Sequence, residues 1–118
     1  MTGFLPTTGI FVAAAPVDLR KAFDGLAILV RNTLGHDPLD GSLYVFSNRS
    51  RDRLKILFWE PGGFWLCTRR LEKGTFRWPK PDAASARFSR EELTLLLGGI
   101  DLAHAHRRKW YRPQDPPR

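Results

Sequence analysis

Residues 53–70, RLKILFWEPGGFWLCTRR, hold two apolar, aromatic runs on either side of Pro61-Gly62-Gly63. Read as strands over 53–60 and 64–71 joined by a four-residue turn at 60–63, they fix their own register. Trp59 faces Phe64, Phe58 faces Trp65 and Ile56 faces Cys67. Side chains alternate across a strand. One face therefore carries Leu54, Ile56, Phe58, Trp65, Cys67 and Leu71, with Arg69 at its edge. The other carries Arg53, Lys55, Leu57, Trp59, Phe64, Leu66, Thr68 and Arg70. This second face is apolar at the turn end and basic at the opposite end. Unpaired charge is costly to bury, so the basic end must meet solvent or an anion.

Working outward, residues 42–47 (SLYVFS) predict a preceding strand, and NRSRD is the polar loop between them. The run 10–15 (IFVAAA) predicts another strand. Asp18 then stands as the cap of a helix whose apolar face is Leu19, Phe23, Leu26, Val30 and Leu34, with Gly35 as its terminator. Within it, Arg20 and Asp24 have the spacing of an i,i+4 pair, and Gly25 suggests close packing. Downstream, a short strand is expected near 75–78, ended by Pro79 and Pro81, with 79–87 as loop. Ser89 and Glu92 form an S-x-x-E capping box for a helix over 90–97, flanked by Phe88 and Leu93 at hydrophobic-staple positions and stopped by Gly98-Gly99. The expected architecture is α+β: an antiparallel meander of about four strands with helices packed on one face, in a single domain over 1–103. A basic, flexible tail over 104–118 follows.

The chain of 118 residues is 42% hydrophobic, enough for one core, and carries a formal net charge of +7. That excess favours a polyanionic partner, nucleic acid before membrane. The tail sets Arg107, Arg108, Lys109, Arg112 and Arg118 against Asp115, so +4 of the +7 lies there. The single cysteine, Cys67, rules out an intrachain disulfide and a Cys-rich zinc site, and suits a reducing cytosol. Its apolar strand neighbours make it a core residue. No apolar run reaches the roughly 20 residues that span a bilayer. The stretch MTGFLPTTGIFVAAAP lacks a basic leader region and reads as structure rather than as a secretion signal.

Four blocks follow one another along the chain: DLRKAFDGLAILV (18–30), KILFWE (55–60), RRLEKGTFRWP (69–79) and LLLGGIDL (95–102). Together they resemble the short accessory proteins of insertion sequence 66 family elements, the second open reading frame, usually called TnpB. The unrelated, far longer RNA-guided nucleases that share the name show no likeness to this chain. The resemblance covers nearly the whole chain. It implies a bacterial, cytoplasmic protein that assists transposition beside a separate transposase, and it implies no catalytic site.

The residues themselves agree with a non-enzyme. His104 and His106 have no third ligand nearby, and His36 is remote in sequence. The acids Asp18, Asp24, Glu60, Glu72 and Asp101 are scattered, whereas nuclease chemistry needs them clustered. No cofactor, metal or small-molecule substrate is expected. The expected nucleic-acid contacts are Arg49, Arg51, Arg53, Lys55 and Arg70, with Arg107, Arg108, Lys109 and Arg112 of the tail, while Trp59 and Tyr44 offer rings for base stacking. The alternative is a protein-interaction module that meets the transposase through Trp59, Phe64 and Leu66, without touching DNA.

Overall fold

The structure, a computed structural model, describes residues 9–99. It contains strands β1 (Ile10–Ala13), β2 (Leu43–Ser47), β3 (Arg53–Glu60), β4 (Gly63–Arg70) and β5 (Ser85–Arg87). Helix α1 (Phe23–Leu29) runs on into a π-helical turn, Val30–Leu34, and α2 spans Arg90–Gly98. The strands form one sheet in the order β4-β3-β2-β1-β5. The α+β class holds.

The β3–β4 hairpin has the expected register, with Trp59 opposite Phe64, Phe58 opposite Trp65 and Ile56 opposite Cys67. Pro61 presets one central turn residue, and Gly62 takes a φ of 103°, which a side chain would resist. Leu54, Ile56 and Phe58 are buried and Cys67 is half-buried, while Arg53 and Arg70 are exposed and Lys55 is partly covered.

Three expectations about topology are corrected. First, the sheet is not a simple meander, because β1 and β2 are parallel, with Ile10 opposite Leu43. A helix-containing connection returns the chain to the end at which β1 began, and that return makes a parallel pair. Second, no strand forms over 75–78. Phe76 bonds instead to the 48–52 loop, its N–H donating to the Arg51 carbonyl at 2.7 Å, and Leu71, just after β4, donates its N–H to the Asp52 carbonyl at 2.9 Å. The fifth strand is Ser85–Arg87, inside the stretch expected to be loop, and it pairs antiparallel with β1.

Third, the helices lie on opposite faces of the sheet. On one face Val12, Val45, Leu54, Ile56 and Phe58 pack with Phe76 and with Leu93 and Leu96 of α2. On the other, Tyr44, Phe46 and Leu57 pack with Leu26 of α1 and Val30. The two sets alternate along each strand, so both sheet faces are dry. A helix over one face alone would leave the other apolar set in water.

Helix α1 also begins later than its periodicity suggests. Asp18 does not cap it. Its carboxylate accepts from the Arg20 backbone N–H at 2.9 Å and from the Arg20 guanidinium at 2.7–3.1 Å. That closes a turn over 18–21, with Lys21 N–H bonded to the Asp18 carbonyl. Arg20 is thus paired with Asp18 and not with Asp24. Phe23 stays 44% exposed, whereas Leu26 and Val30 are buried. Gly35 closes the helical segment at φ 73°. At α2 the capping box forms as expected: Ser89 Oγ accepts from Glu92 N–H at 3.0 Å, and Glu92 Oε1 accepts from Ser89 N–H at 2.7 Å.

Candidate nucleic-acid interface

The loop between β2 and β3 is organised by Asn48. Its amide oxygen accepts from the backbone N–H groups of Asp52 and Arg53, both at 3.2 Å, and its Nδ2 donates to Asp52 Oδ1 at 2.8 Å. This side-chain network holds Arg49 and Ser50 out at an exposed tip. Within the same loop Arg51 takes φ 59°, an unusual conformation for a non-glycine residue.

Arg51 points inward. Its Nη2 donates to the Ala14 carbonyl at 3.1 Å, and its guanidinium stacks over Trp78 at 5.0 Å from the ring centroid. Trp78 in turn donates to the Ala13 carbonyl at 2.7 Å. Burial first, and neighbouring Arg49 second, press the Arg51 pKa downward. Arg51 therefore joins the loop to the end of β1 and stands apart from its four expected companions.

Three of those companions, Arg53, Lys55 and Arg70, gather at one end of the α1-side face, while Arg49 stands at the exposed loop tip. Arg53 is directly opposite Arg70, and Lys55 is opposite Thr68. Arg70 bonds to Glu72 at 3.0 Å, whereas the Arg53 guanidinium has no hydrogen bond or ion pair among the described residues. Lys55 Nζ donates to the Lys21 carbonyl at 3.3 Å, which brings Lys21 into the cluster. The Lys21 stem lies 3.1–3.4 Å from where a Cβ on Gly25 would stand, so Gly25 gives that side chain its room. Lys21 was missing from the expected set. It is 34 residues from Lys55, and only the glycine in the following helix hinted at the placement. Arg69, on the opposite face, donates to the Leu97 carbonyl at 2.8 Å.

Like charges set across a strand pair repel. The Arg53–Arg70 pair, with Lys55 and Lys21 beside it and Glu72 as the bonded acid, makes a cationic surface suited to an anion. The tail residues Arg107, Arg108, Lys109 and Arg112 lie outside the described residues, as do His104 and His106.

The expected aromatic platforms fare differently. Tyr44 is fully buried, stacked with Phe11 at 5.8 Å and bonded to Asp40 at 2.8 Å, so no base can reach it. Burial and the Asp40 carboxylate push its phenol pKa up. Trp59 is half-buried and meets Phe64 edge to face at 5.0 Å. Phe64 and Leu66 pack against the cluster beneath α1.

Cys67 is half-buried beside the α2-side core, and burial raises its thiol pKa. The His36 ring packs 4.2 Å from Phe11. Among the described residues no three His, Cys, Asp or Glu side chains converge on a metal position. No helix among them is long and apolar enough to cross a membrane.

Fold and surface together define a small α+β protein with a cationic hairpin end and dry helical layers on both sides of its sheet. The chain belongs to the family described as IS66 Orf2 like protein, whose model matches residues 8–107. Membership gives it an accessory role in the transposition of insertion sequences. Two relatives come from Sinorhizobium fredii. "Uncharacterized protein y4jC" is 38% identical over 104 residues, covering 88% of this chain and 89% of that protein. "Uncharacterized protein y4hO" is 38% identical over 95 residues, covering 80% and 83%. No solved structure matches the chain.

Proposed function

We propose that the accessory role is exercised by non-catalytic binding to the element's own DNA in the bacterial cytoplasm. The contacts are Arg49, Arg53, Lys55 and Arg70, joined by Lys21 and by the tail residues Arg107, Arg108, Lys109 and Arg112. The observation that carries this reading is the Arg53–Arg70 pair, set face to face at the end of the hairpin. A phosphate backbone relieves that repulsion, and each phosphate neutralised releases condensed counterions. Arg51 is excluded from the contact set because its guanidinium is committed to Ala14 and Trp78.

The test is titration of the full chain against terminal DNA of an insertion element and against unrelated duplex, each at low and high salt. Binding that weakens steeply with salt supports the reading, and tighter binding to terminal DNA adds sequence recognition to it. Binding to neither duplex at low salt contradicts it. Contact with the transposase through Trp59, Phe64 and Leu66 would then be tested directly with that protein.

A further inference from the structure

β4 ends the sheet and pairs with β3 alone. Glu60 sits opposite Gly63 across the two-residue turn. In that pattern Gly63, Trp65, Cys67 and Arg69 turn their backbone groups toward β3, and Phe64, Leu66, Thr68 and Arg70 turn theirs outward. The Leu71 N–H bond to the Asp52 carbonyl continues the inward series. Among the described residues nothing pairs with the outward set. Free edges are usually guarded by mid-strand charge, proline or a bulge. Here Phe64 to Thr68 carries neither charge nor proline, and the register with β3 is unbroken.

Beside this edge, on the α2 side, an apolar groove of about 360 Å³ runs between α2 and the hairpin. Ile56, Cys67, Leu93 and Leu97 line it. Thr68 lines it as well, although its side chain belongs to the other face, so the groove reaches the outer edge of β4. Trp65, two residues from Cys67 on the same face, is 45% exposed. It lies against Phe58 and donates to Glu60 at 2.6 Å, outside its own groove.

We propose that β4 pairs antiparallel with β4 of a second copy of this chain, about a two-fold axis at Leu66, with each Trp65 covering the groove of the other copy. The strand is self-complementary in this register. Leu66 meets the partner's Leu66, Trp65 lies across from the partner's Cys67, and Phe64 across from the partner's Thr68. The charges of β4, Arg69 and Arg70, stand at one end of the strand. Antiparallel pairing sends the two basic ends apart, whereas a parallel pairing would stack them. The dimer joins two five-stranded sheets into one and leaves the Arg53–Arg70 surfaces free at its two ends.

The test is sedimentation equilibrium of the full chain without nucleic acid, in low and raised salt. The expected species has twice the 13.5 kDa chain mass and persists in raised salt, because its contacts are backbone bonds and apolar side chains. Thr68→Pro removes an outward N–H and spares every bond to β3, so it yields a monomer with the parent's circular dichroism spectrum. If that variant does not fold, Trp65→Ser serves. Losing a ring that buries roughly 150–250 Å² weakens association about tenfold or more. A monomeric parent, a dimer that survives Thr68→Pro, or association unchanged in Trp65→Ser overturns the proposal. None of these outcomes bears on DNA affinity, which is measured separately.

Discussion

Arg51 and Arg53 differ in role although they are two residues apart with the same side chain. Arg51 bonds to Ala14 and covers Trp78, so it holds the 48–52 loop to β1. Arg51→Ala should lower unfolding free energy by about 2 kcal/mol, the usual worth of a charge-assisted bond with a cation–π contact. Arg53→Ala should not lower stability and should raise it slightly, because it removes the like-charge contact with Arg70. Urea unfolding of both variants checks this, and equal midpoints for the two would contradict it. At Asp18 the Arg20 side-chain bonds, followed by the bond from its backbone N–H, lower the carboxyl from 3.8 to about 2. A lowered folded value means the pair contributes above the unfolded pKa and its contribution is lost as pH falls through about 2. The pair is exposed, so the effect on stability is small. An NMR titration should place the Asp18 midpoint near 2 in the parent and clearly higher in Arg20→Ala, though still below 3.8 because the bond from the residue 20 backbone N–H remains. Equal midpoints would remove the pairing. The role of Arg51 was not legible in the sequence, whereas that of Arg53 follows from strand alternation. Arg51 and Arg53 share one polar run, and the difference arises only because residues 14 and 78 come to meet the first of them.

At the scale of elements, what could be read depended on whether local chemistry fixed the answer. The hairpin was legible because a two-residue turn sets the register and period-two alternation then sorts every side chain. Helix α2 was legible because Ser89 and Glu92 satisfy each other's backbone donors. Ser89→Ala should lower stability by about 1 kcal/mol in thermal or urea unfolding, and a parent-like midpoint would show that the cap contributes nothing. Gly99 ends that helix at φ 67° and ψ 179°, where a Cβ would stand 2.5 Å from Leu71 Cδ1. Gly99→Ala should cost more than the cap, on the order of 1–3 kcal/mol for the backbone alone. By contrast, β5 has three residues, Ser-Ala-Arg, and no apolar alternation. It is a strand because Phe11, Val12 and Ala13 offer it an edge. The late start of α1 has a similar origin. The apolar period runs back to Leu19, but the Asp18 turn takes the backbone groups that a longer helix would use.

For the molecule as a whole, a sheet buried on both faces explains why so short a chain carries two apolar clusters. The parallel pairing of β1 with β2 is a long-range contact set by the helical return between them, and the alternation within each strand, which is local, does not reveal it. The basic surface was partly legible. Arg53, Lys55 and Arg70 follow from hairpin alternation alone, whereas Lys21 joins them through a long-range bond to Lys55. The central proposal for the molecule is that this surface holds a phosphate backbone. Its most direct test is the salt dependence of duplex affinity for the parent and for Arg53→Ala/Arg70→Ala, with unfolding midpoints measured alongside. If each arginine meets one phosphate, the slope of log affinity against log salt should fall by about two units in the double variant. The loss should be similar for terminal and unrelated duplex, with folding intact. The same slope and affinity in parent and double variant would contradict the claim.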